Sequence, residues 1–396
     1  MPWSLRMVTY ATIILFIIFI YFGYRYFRSV RLTDVSKPGL FKLLYLLAAT
    51  SFFAYPIGGH IQYQLSGSFN RTGWPDPMIY LFWYGLVFMG VMLNWLILHD
   101  LLLPFAKRFS AKPIEVIKRN FAKAFLAIAA FICLYTAIKM VWDTNRIITE
   151  KISYLLPLDV NSFQPLTIVH IADLHADQYT SEKKMNRYVQ KVNSFNPDLV
   201  LFGGDLISSG TDYITAGADA LAGIEATYGT WFVIGDHDHW TDTNLIIREL
   251  ETRGIPALDN QNAWIDHHGS VIKLTGVTEI YSRQVQPDSL TTLLEESRDE
   301  VLRILLSHQA SDRLIEQSLE HGVHQLFGAH THGGQIRIPI FFYPVTAARE
   351  ETKYVNGNWM LNGMLLNVNN GLGFTLSPVR YNAPAQISVI TVTSEN

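Results

Sequence analysis

Residues 166–175 read LTIVHIADLH, a short apolar run that ends in an aspartate and a histidine. Short apolar runs that end in aspartate recur in DLVLFGGD at residues 198–205 and in TWFVIGD at residues 230–236. Such runs predict strands, whereas residues 182–195 between them carry apolar residues at helical spacing. Strands that alternate with helices predict an α/β layered fold, with ligands bound at the carboxyl ends of the strands.

VLRILLSH at residues 301–308 and HQLFGAH at residues 324–330 are two further predicted strands. The five predicted strand ends each deliver aspartate or histidine, and none delivers cysteine. The candidate ligands and catalytic residues at these ends are Asp173, His175, Asp205, Asp236, His237, Asp238, His308, His330 and His332. Carboxylates and imidazoles together suit two divalent cations such as Mn, Fe, Zn or Mg. Two metals that lie about 3.5–4 Å apart need a shared carboxylate, and they activate water for in-line attack on phosphorus. Taken singly, Asp173 or Asp205 could instead cap the helix that follows it.

In chain order the motifs are D-x-H, G-G-D, G-D-H-D, a single histidine and H-T-H-G-G-Q. This ordered set resembles the calcineurin-like metallophosphoesterase family over about residues 165–392. The tail, with Gly371, Gly373 and residues 378–381, resembles the membrane-associated branch of that family. Some members of that branch hydrolyse a nucleotide-linked lipid precursor. The resemblance implies a four-layer α/β sandwich and a metal-dependent phosphoric ester hydrolase.

The resemblance also implies a role for each candidate residue. It assigns the metal ligands as Asp173, His175 and His332 for the first metal, Asp236, His308 and His330 for the second, and Asp205 as the bridge. Manganese is the first expectation for both metals. His237 would contact the phosphate and protonate the leaving oxygen, with Asp238 behind it to orient the imidazole.

Two residues depart from the family pattern. Asp236 stands where the family usually has Asn, and Ala329 stands where Gly is more usual. The change to Ala is small, but the carboxylate of Asp236 adds a negative charge. With Asp173, Asp205 and a bridging hydroxide, it would cancel the charge of two divalent cations. We therefore expect tighter metal binding, or a preference for one trivalent iron, and weaker attraction for highly anionic monoesters.

The composition excludes several classes of protein. Of the 396 residues, 49% are hydrophobic and 16% are charged, against about 25% charged in a usual soluble domain. This composition excludes a disordered chain, and a net charge of -3 argues against a nucleic-acid binder. A single cysteine excludes a disulfide framework and a cysteine-based zinc site. The shortage of charge indicates a membrane portion.

Four nearly uncharged runs in the N-terminal part can each supply the roughly 20 apolar residues that a bilayer requires. The predicted spans are residues 7–27, 40–60, 77–103 and 120–142. We expect a four-helix transmembrane anchor over residues 1–150 and a catalytic domain over residues 157–396. A signal peptide is the alternative for the first run, but that run lacks a small-x-small cleavage site and further spans follow it.

The basic residues of the loops predict the orientation. The loop after the first span and the loop after the third are rich in Lys and Arg, whereas the loop between them holds only Arg71. By the positive-inside rule the two basic loops are cytoplasmic, which places the catalytic half outside the cytoplasm. It would be periplasmic in a cell with an outer membrane. If that half were cytoplasmic, a nucleotide-linked lipid precursor would be the better substrate.

The sequence therefore predicts a membrane-tethered dinuclear-metal phosphoesterase that acts on a phosphoester or pyrophosphate of a membrane-associated or lipid-linked substrate. The expected partners are the bilayer and that substrate, without nucleic acid. The alternatives are a phosphodiesterase on soluble nucleotides and a non-catalytic membrane receptor or assembly protein. Residues 336–345, IRIPIFFYPV, form an apolar run just past the last metal motif. This run could be a lip that faces lipid, or it could pack in the core or against the spans.

Overall fold

The computed structural model describes residues 1–70, 73–156 and 163–394. The chain divides into two compact units: Met1–Thr144, Ile336–Thr346 and Leu376–Asn382 in the first, and Asn145–Gln335, Ala347–Thr375 and Ala383–Asn396 in the second. Two short segments of the C-terminal half thus group with the N-terminal helices, a feature that the composition does not reveal. Arg71 and the predicted domain start at residue 157 lie outside the described residues.

The first unit is built on four long helices: α1 Trp3–Leu32, α2 Pro38–Ser66, α3 Asp76–Phe109 and α4 Ile114–Asn145. Each is long and apolar enough to cross a membrane. Helix α2 begins at Pro38, which has no N–H to leave unpaired in the first turn, and ends before Gly67, whose φ is 70°. Lys107 and Arg108 lie in the last turn of α3, where positive charge complements the helix dipole.

Small residues let these helices approach closely. A Cβ added at Gly85 of α3 would lie 2.6 Å from the ring of Phe52 on α2. The same ring contacts Phe19 of α1 edge to face at 6.0 Å between centroids. Glycine at such a contact is typical of helix packing in membranes, where close van der Waals contact replaces the hydrophobic effect as the source of association.

The remaining elements follow in chain order. The described strands are β1 Ile147–Leu156, β2 Leu166–Ile171, β3 Leu199–Phe202, β4 Thr230–Phe232, β5 Gln261–His267, β6 Ser270–Val277, β7 Leu302–Ser307, β8 Gln325–Gly328, β9 Ile338–Ile340, β10 Tyr343–Val345, β11 Gly357–Leu361, β12 Met364–Val368 and β13 Ala385–Ser394. The described helices are α5 Glu182–Asn193, α6 Ile214–Ala222, α7 Asp236–Thr241, α8 Thr243–Glu251, α9 Pro287–Glu295 and α10 Asp312–Glu320. Strands β9 and β10 lie in the first unit, and all the other strands lie in the second.

Two sheets form the second unit. One has the strand order β1-β13-β2-β3-β4 and the other has the order β11-β12-β8-β7-β6-β5. Strands β2, β3 and β4 are parallel to one another, as are β6, β7 and β8. The carboxyl ends of each parallel set therefore meet at one edge of its sheet, which is where an α/β fold places its ligands.

The sheets pack face to face with helices outside them. Ile168 of β2 and Ile304 of β7 belong to one buried core that both sheets share. Val169, the next residue of β2, points to the other face and packs in a core with Tyr188 of α5. Leu305 of β7 likewise packs in the core that holds residues of α9 and α10. The predicted class, apolar helices followed by a layered α/β domain, is confirmed.

Candidate metal centre

The predicted ligands come together beyond the carboxyl ends of the parallel strands. Two groups have ligand atoms that all lie within 4.8 Å of one another: Asp173, His175 and His332 in the first metal group, and Asp236, His308 and His330 in the second. Asp205 joins Asp173 and His308 in a further group of this kind. These are the sets of three that the resemblance implies, although their roles toward metal stay predictions.

Asp205 lies between the two metal groups. Its Oδ2 is 3.3 Å from Nε2 of His175 and 3.4 Å from Nε2 of His308. In the first group, Nε2 of His175 lies 3.0 Å from Nε2 of His332, which in turn lies 3.6 Å from Oδ1 of Asp173. One carboxylate oxygen thus faces an imidazole from each group, which is the arrangement that a shared ligand requires.

Asp236 occupies the centre of the second metal group. Its Oδ2 lies 2.9 Å from Nδ1 of His330 and 3.8 Å from Nε2 of His308. The same oxygen accepts a hydrogen bond of 3.1 Å from the side-chain amide of Gln309. Its Oδ1 accepts a bond of 3.2 Å from the backbone N–H of Tyr281. Both carboxylate oxygens therefore face donors, which an asparagine at this position could not match.

The backbone at the ligands is unusual. Five of the candidate ligands have φ between 45° and 71°: Asp173, His175, Asp205, His330 and His332. Residues other than glycine visit this left-handed region rarely, and such conformations concentrate at functional sites. Gly371 lies beside them, because a Cβ there would be 2.7 Å from Oδ2 of Asp173. The glycine of the tail motif thus leaves room for a ligand carboxylate.

Buried charge shapes the protonation of the cluster. Burial alone would lower the pKa of His308, but the carboxylate of Asp205 outweighs burial and holds that pKa well above its usual value. Burial would likewise raise the pKa of Asp205, yet His308 and His237 bring it well below its usual range. Burial also opposes the protonation of His330, whose bonds to Asp236 and Glu351 nevertheless raise its pKa to about 9. The buried carboxylates and imidazoles of the cluster thus strongly affect one another's pKa.

The surroundings of His237 differ from those predicted. Its Nδ1 donates to the carbonyl oxygen of Ser208 at 2.5 Å, and its backbone N–H donates to Oδ1 of Asp205 at 2.8 Å. Asp238 does not orient this ring. Its carboxylate accepts the backbone N–H groups of Asp205, Leu206 and Gly235 at 2.8–3.0 Å. The prediction that Asp238 lies behind the imidazole is wrong, because backbone donors from the loop after β3 and from Gly235, just before α7, bind its oxygens.

Three residues near the second metal group escaped the sequence analysis: Gln309, Tyr281 and Glu351. Oε2 of Glu351 lies 3.2 Å from Nε2 of His330, and the Tyr281 side chain hydrogen-bonds to Glu351. The ring of Tyr281 meets that of His330 at 5.1 Å between centroids. Only Gln309 carries a sequence signal, since it directly follows His308.

The donor set fits two divalent cations. The two metal groups and Asp205 contribute carboxylate oxygens and imidazole nitrogens, and they contain no thiolate. Apart from His330, which is partly exposed, these side chains are buried. Burying several carboxylates together is unfavourable unless a cation or proton compensates their charge. Hard oxygen donors combined with imidazole suit Mn, Fe, Zn or Mg.

Comparison with known proteins identifies the family. Residues 166–334, which include every candidate ligand, match the family described as Calcineurin-like phosphoesterase. This part of the chain is a calcineurin-like phosphoesterase domain. The predicted family and the predicted enzyme class, a metal-dependent phosphoester hydrolase, are confirmed.

Curated relatives carry corresponding names. The chain is 29% identical over 248 residues to "Uncharacterized metallophosphoesterase YkuE" of Bacillus subtilis, covering 62% of this chain and 84% of that protein. It is 28% identical to an "Uncharacterized metallophosphoesterase" of Helicobacter pylori, covering 63% of this chain and 64% of that one. It is 27% identical to "Transmembrane protein with metallophosphoesterase domain" of Danio rerio, covering 53% and 49%.

The chain thus spans less than two thirds of the Helicobacter pylori relative and about half of the Danio rerio relative. Four apolar helices, together with a relative named as a transmembrane protein, indicate a membrane protein.

Proposed function

We propose that this protein is a membrane-tethered dinuclear-metal phosphoesterase. It hydrolyses a phosphoester or pyrophosphate bond of a membrane-associated or lipid-linked substrate. The observation that carries the proposal is the position of Asp205, whose Oδ2 lies within 3.4 Å of a histidine from each metal group. A single buried carboxylate between two acid–imidazole groups is what a two-metal phosphoesterase needs.

The proposed ligands are Asp173, His175 and His332 for one cation, Asp236, His308 and His330 for the other, and Asp205 for both. When bound, the cations polarise the phosphoryl oxygens and supply an activated water. The chain's own contribution is to hold the donors in buried, preorganised positions, so that the site does not rearrange during the reaction.

His237 is the proposed acid. Its Nδ1–H donates to the carbonyl oxygen of Ser208, which fixes the ring. The ring acts as an acid in its imidazolium form, which gives the Nε2 proton to the leaving oxygen and keeps the proton on Nδ1. The ring of His175 contacts it edge to face at 4.7 Å between centroids, so the acid lies next to the first metal group. Asp238 supports the loop rather than the ring, through its bonds to the backbone of Asp205 and Leu206.

The membrane part of the proposal concerns substrate access. We propose that the four helices cross the bilayer and that the catalytic half lies outside the cytoplasm, as the basic loops predict. A chain with four membrane-spanning helices is retained at the bilayer, so the substrate is expected in or on the bilayer. The shortage of positive charge disfavours nucleic acid as a substrate.

Two exposed aromatic residues support a second candidate, a phosphodiesterase on soluble nucleotides. Trp240 and Tyr281 are each more than half exposed. The ring of Trp240 contacts that of His237 at 5.2 Å, and the ring of Tyr281 contacts that of His330 at 5.1 Å. Exposed rings beside both parts of the centre could stack on a nucleobase, and they could equally contact the apolar part of a lipid-linked substrate.

A substrate panel separates these candidates. The purified full-length protein would be assayed with p-nitrophenyl phosphodiesters, mononucleotides and detergent-dispersed phospholipids, each with Mn²⁺, Zn²⁺, Fe²⁺ or Mg²⁺. We expect metal-dependent turnover that is highest on the lipid and is lost in Asp205→Ala but kept in Asp212→Ala, a matched exposed aspartate. Higher turnover on nucleotides would favour the second candidate. Turnover that persists in Asp205→Ala would exclude the dinuclear mechanism.

A further inference from the structure

A two-stranded hairpin belongs to the first compact unit, together with the four apolar helices. In this apolar hairpin, residues 338–345, strand β9 pairs antiparallel with β10, and Tyr343 lies opposite Ile340. The two residues of the turn, Phe341 and Phe342, have φ of 45° and 74°. A turn that needs positive φ at both positions normally has Asn-Gly, because bulky side chains are strained there.

The turn presents its rings outward. Phe342 is 100% exposed, Tyr343 is 56% exposed and Phe341 is 44% exposed. Because exposing large apolar side chains to water is unfavourable, two phenylalanines at an exposed, strained turn are destabilising in water. The same rings would be favourable in a hydrocarbon environment. The hairpin therefore requires an apolar partner that covers its tip.

The side-chain carboxamide of Asn94 on helix α3 binds the backbone of the hairpin. The Asn94 side-chain amide donates to the carbonyl oxygen of Pro339 at 2.8 Å, and its Oδ1 accepts the N–H of Phe341 at 2.7 Å. One turn earlier, a Cβ added at Gly90 would lie 2.6 Å from Cδ1 of Ile338, so the glycine makes room for the hairpin. Gly90 and Asn94 both lie in an uncharged stretch of α3, residues 77–98.

These contacts satisfy backbone polar groups of the hairpin, which is what non-helical backbone inside a bilayer requires. Within hydrocarbon, backbone N–H and C=O groups need partners from the protein, since no water is present to bond them. Asn94 supplies a donor to the carbonyl group of Pro339, near the turn, and an acceptor to the N–H of Phe341, in the turn. Pro339 and Pro344, which face each other across the strands, bring no N–H that would need a partner.

We propose that the apolar hairpin, residues 338–345, is immersed in the apolar layer of the membrane alongside α3, where Phe341 and Phe342 contact lipid acyl chains. The proposal rests on the proposed function in one respect, that the helices cross the bilayer. The partner is lipid because the hairpin continues the apolar surface of a helix long enough to span the membrane. Along the chain it follows the H-T-H-G-G-Q motif after two residues, Ile336 and Arg337.

Spin labels can measure the depth of the hairpin. The sole cysteine is removed by Cys133→Ala, and single cysteines are introduced in the full-length protein by Phe342→Cys, Ile138→Cys or Glu251→Cys. Ile138 lies on α4 with its side chain exposed, and Glu251 is an exposed residue of α8. Each labelled protein is reconstituted in vesicles of phosphatidylcholine and phosphatidylglycerol. Accessibility to oxygen reports hydrocarbon, and accessibility to a water-soluble nickel chelate reports water.

We expect the label at position 342 to match the label at 138, with high oxygen and low nickel accessibility, and the label at 251 to show the reverse. A label at 342 that behaves like 251, while 138 remains in hydrocarbon, would overturn the hairpin proposal and leave the membrane anchor intact. A label at 138 that is accessible to nickel would overturn both. Low accessibility of 342 to both reagents would indicate a covering protein and would also overturn the proposal.

A variant of the helix tests the attachment. Asn94→Leu removes both hydrogen bonds to the hairpin, so we expect the label at 342 to become more mobile and its nickel accessibility to rise several-fold. Leu101→Ala changes an exposed side chain of the same helix and should leave both quantities unchanged. Unchanged mobility in Asn94→Leu would contradict the role given to Asn94.

Discussion

Asp236 stands where the family pattern usually has asparagine. In the structure both of its carboxylate oxygens accept hydrogen bonds. Oδ1 accepts the N–H of Tyr281, and Oδ2 accepts the amide of Gln309 and faces His330. An asparagine would turn an NH₂ group toward at least one of these donors. Aspartate is therefore favoured over asparagine at this position both by its negative charge and by its two hydrogen-bond-accepting oxygens.

We expect Asp236→Asn to weaken metal binding by about tenfold or more, which corresponds to roughly 1.4 kcal/mol. The loss combines a missing negative charge with an unpaired donor. Calorimetric titration of the metal-free protein with Mn²⁺ measures the change in affinity. Asp212→Asn, an exposed position, is the control. Equal affinities in the wild-type protein and Asp236→Asn would refute the charge argument.

Glu351 acts on His330 from the side opposite Asp236. It lies 3.2 Å from Nε2, whereas Nδ1 faces the second metal group. A carboxylate that holds the far nitrogen of a ligand histidine fixes its orientation, and losing such a partner typically costs 10–100-fold in metal affinity or activity. We expect a loss in that range for Glu351→Gln, with metal content and turnover falling together. Glu350→Gln, at the adjacent exposed position, should retain both metal content and turnover. If Glu351→Gln lost turnover at full metal occupancy, Glu351 would have another role.

At the scale of elements, strand β2 contains a buried histidine outside the metal centre. His170 donates from Nδ1 to Oδ1 of Asn367 at 2.6 Å and packs against Phe327. Burial lowers its pKa to about 4, below the value near 6.5 expected in the unfolded chain. Because the folded protein disfavours the charged ring, stability is fully present above pH 6.5 and falls as the pH drops toward 4.

This shift predicts a change of about 2 kcal/mol in the free energy of unfolding between pH 7 and pH 5. Denaturant titration of the detergent-solubilised protein at both pH values would measure it. In His170→Gln, which cannot become protonated, the pH-dependent loss should be smaller by that amount. His268→Gln, at an exposed position, should behave like the wild-type protein. Equal pH dependence in all three proteins would show that His170 contributes nothing to acid lability.

The strands and loops around the metal centre differ in how far their residues could be assigned from the sequence. The strand ends were identifiable because short apolar runs and the residues that follow them are local signals, so Asp173, Asp205 and His308 could be assigned together. Glu351 was not identifiable, since it lies in a loop without periodicity and reaches His330 only through the fold. Asp238 was misassigned because the backbone N–H groups that bind it belong to a neighbouring strand end. Asn94 gave no signal, because its partners lie far along the chain.

At the scale of the whole molecule, the distribution of basic residues bears on which substrate the metal centre can reach. The basic residues concentrate in the loops that follow α1 and α3, and the positive-inside rule places those loops in the cytoplasm. If the catalytic half faces the outside, as proposed, lipid-linked phosphoesters are available to it and cytoplasmic nucleotides are not. The side of the membrane thus decides between the two candidate substrates more directly than the geometry of the metal centre does.

Chemical labelling can determine that side. In the Cys133→Ala background, Glu251→Cys marks the catalytic half and Lys112→Cys marks the basic loop between α3 and α4. A membrane-impermeant maleimide should label position 251 in intact spheroplasts and label position 112 only after permeabilisation. The reverse pattern would place the metal centre in the cytoplasm. A nucleotide-linked lipid precursor would then become the favoured substrate, while the assignment of Asp205 as the shared ligand would be unaffected.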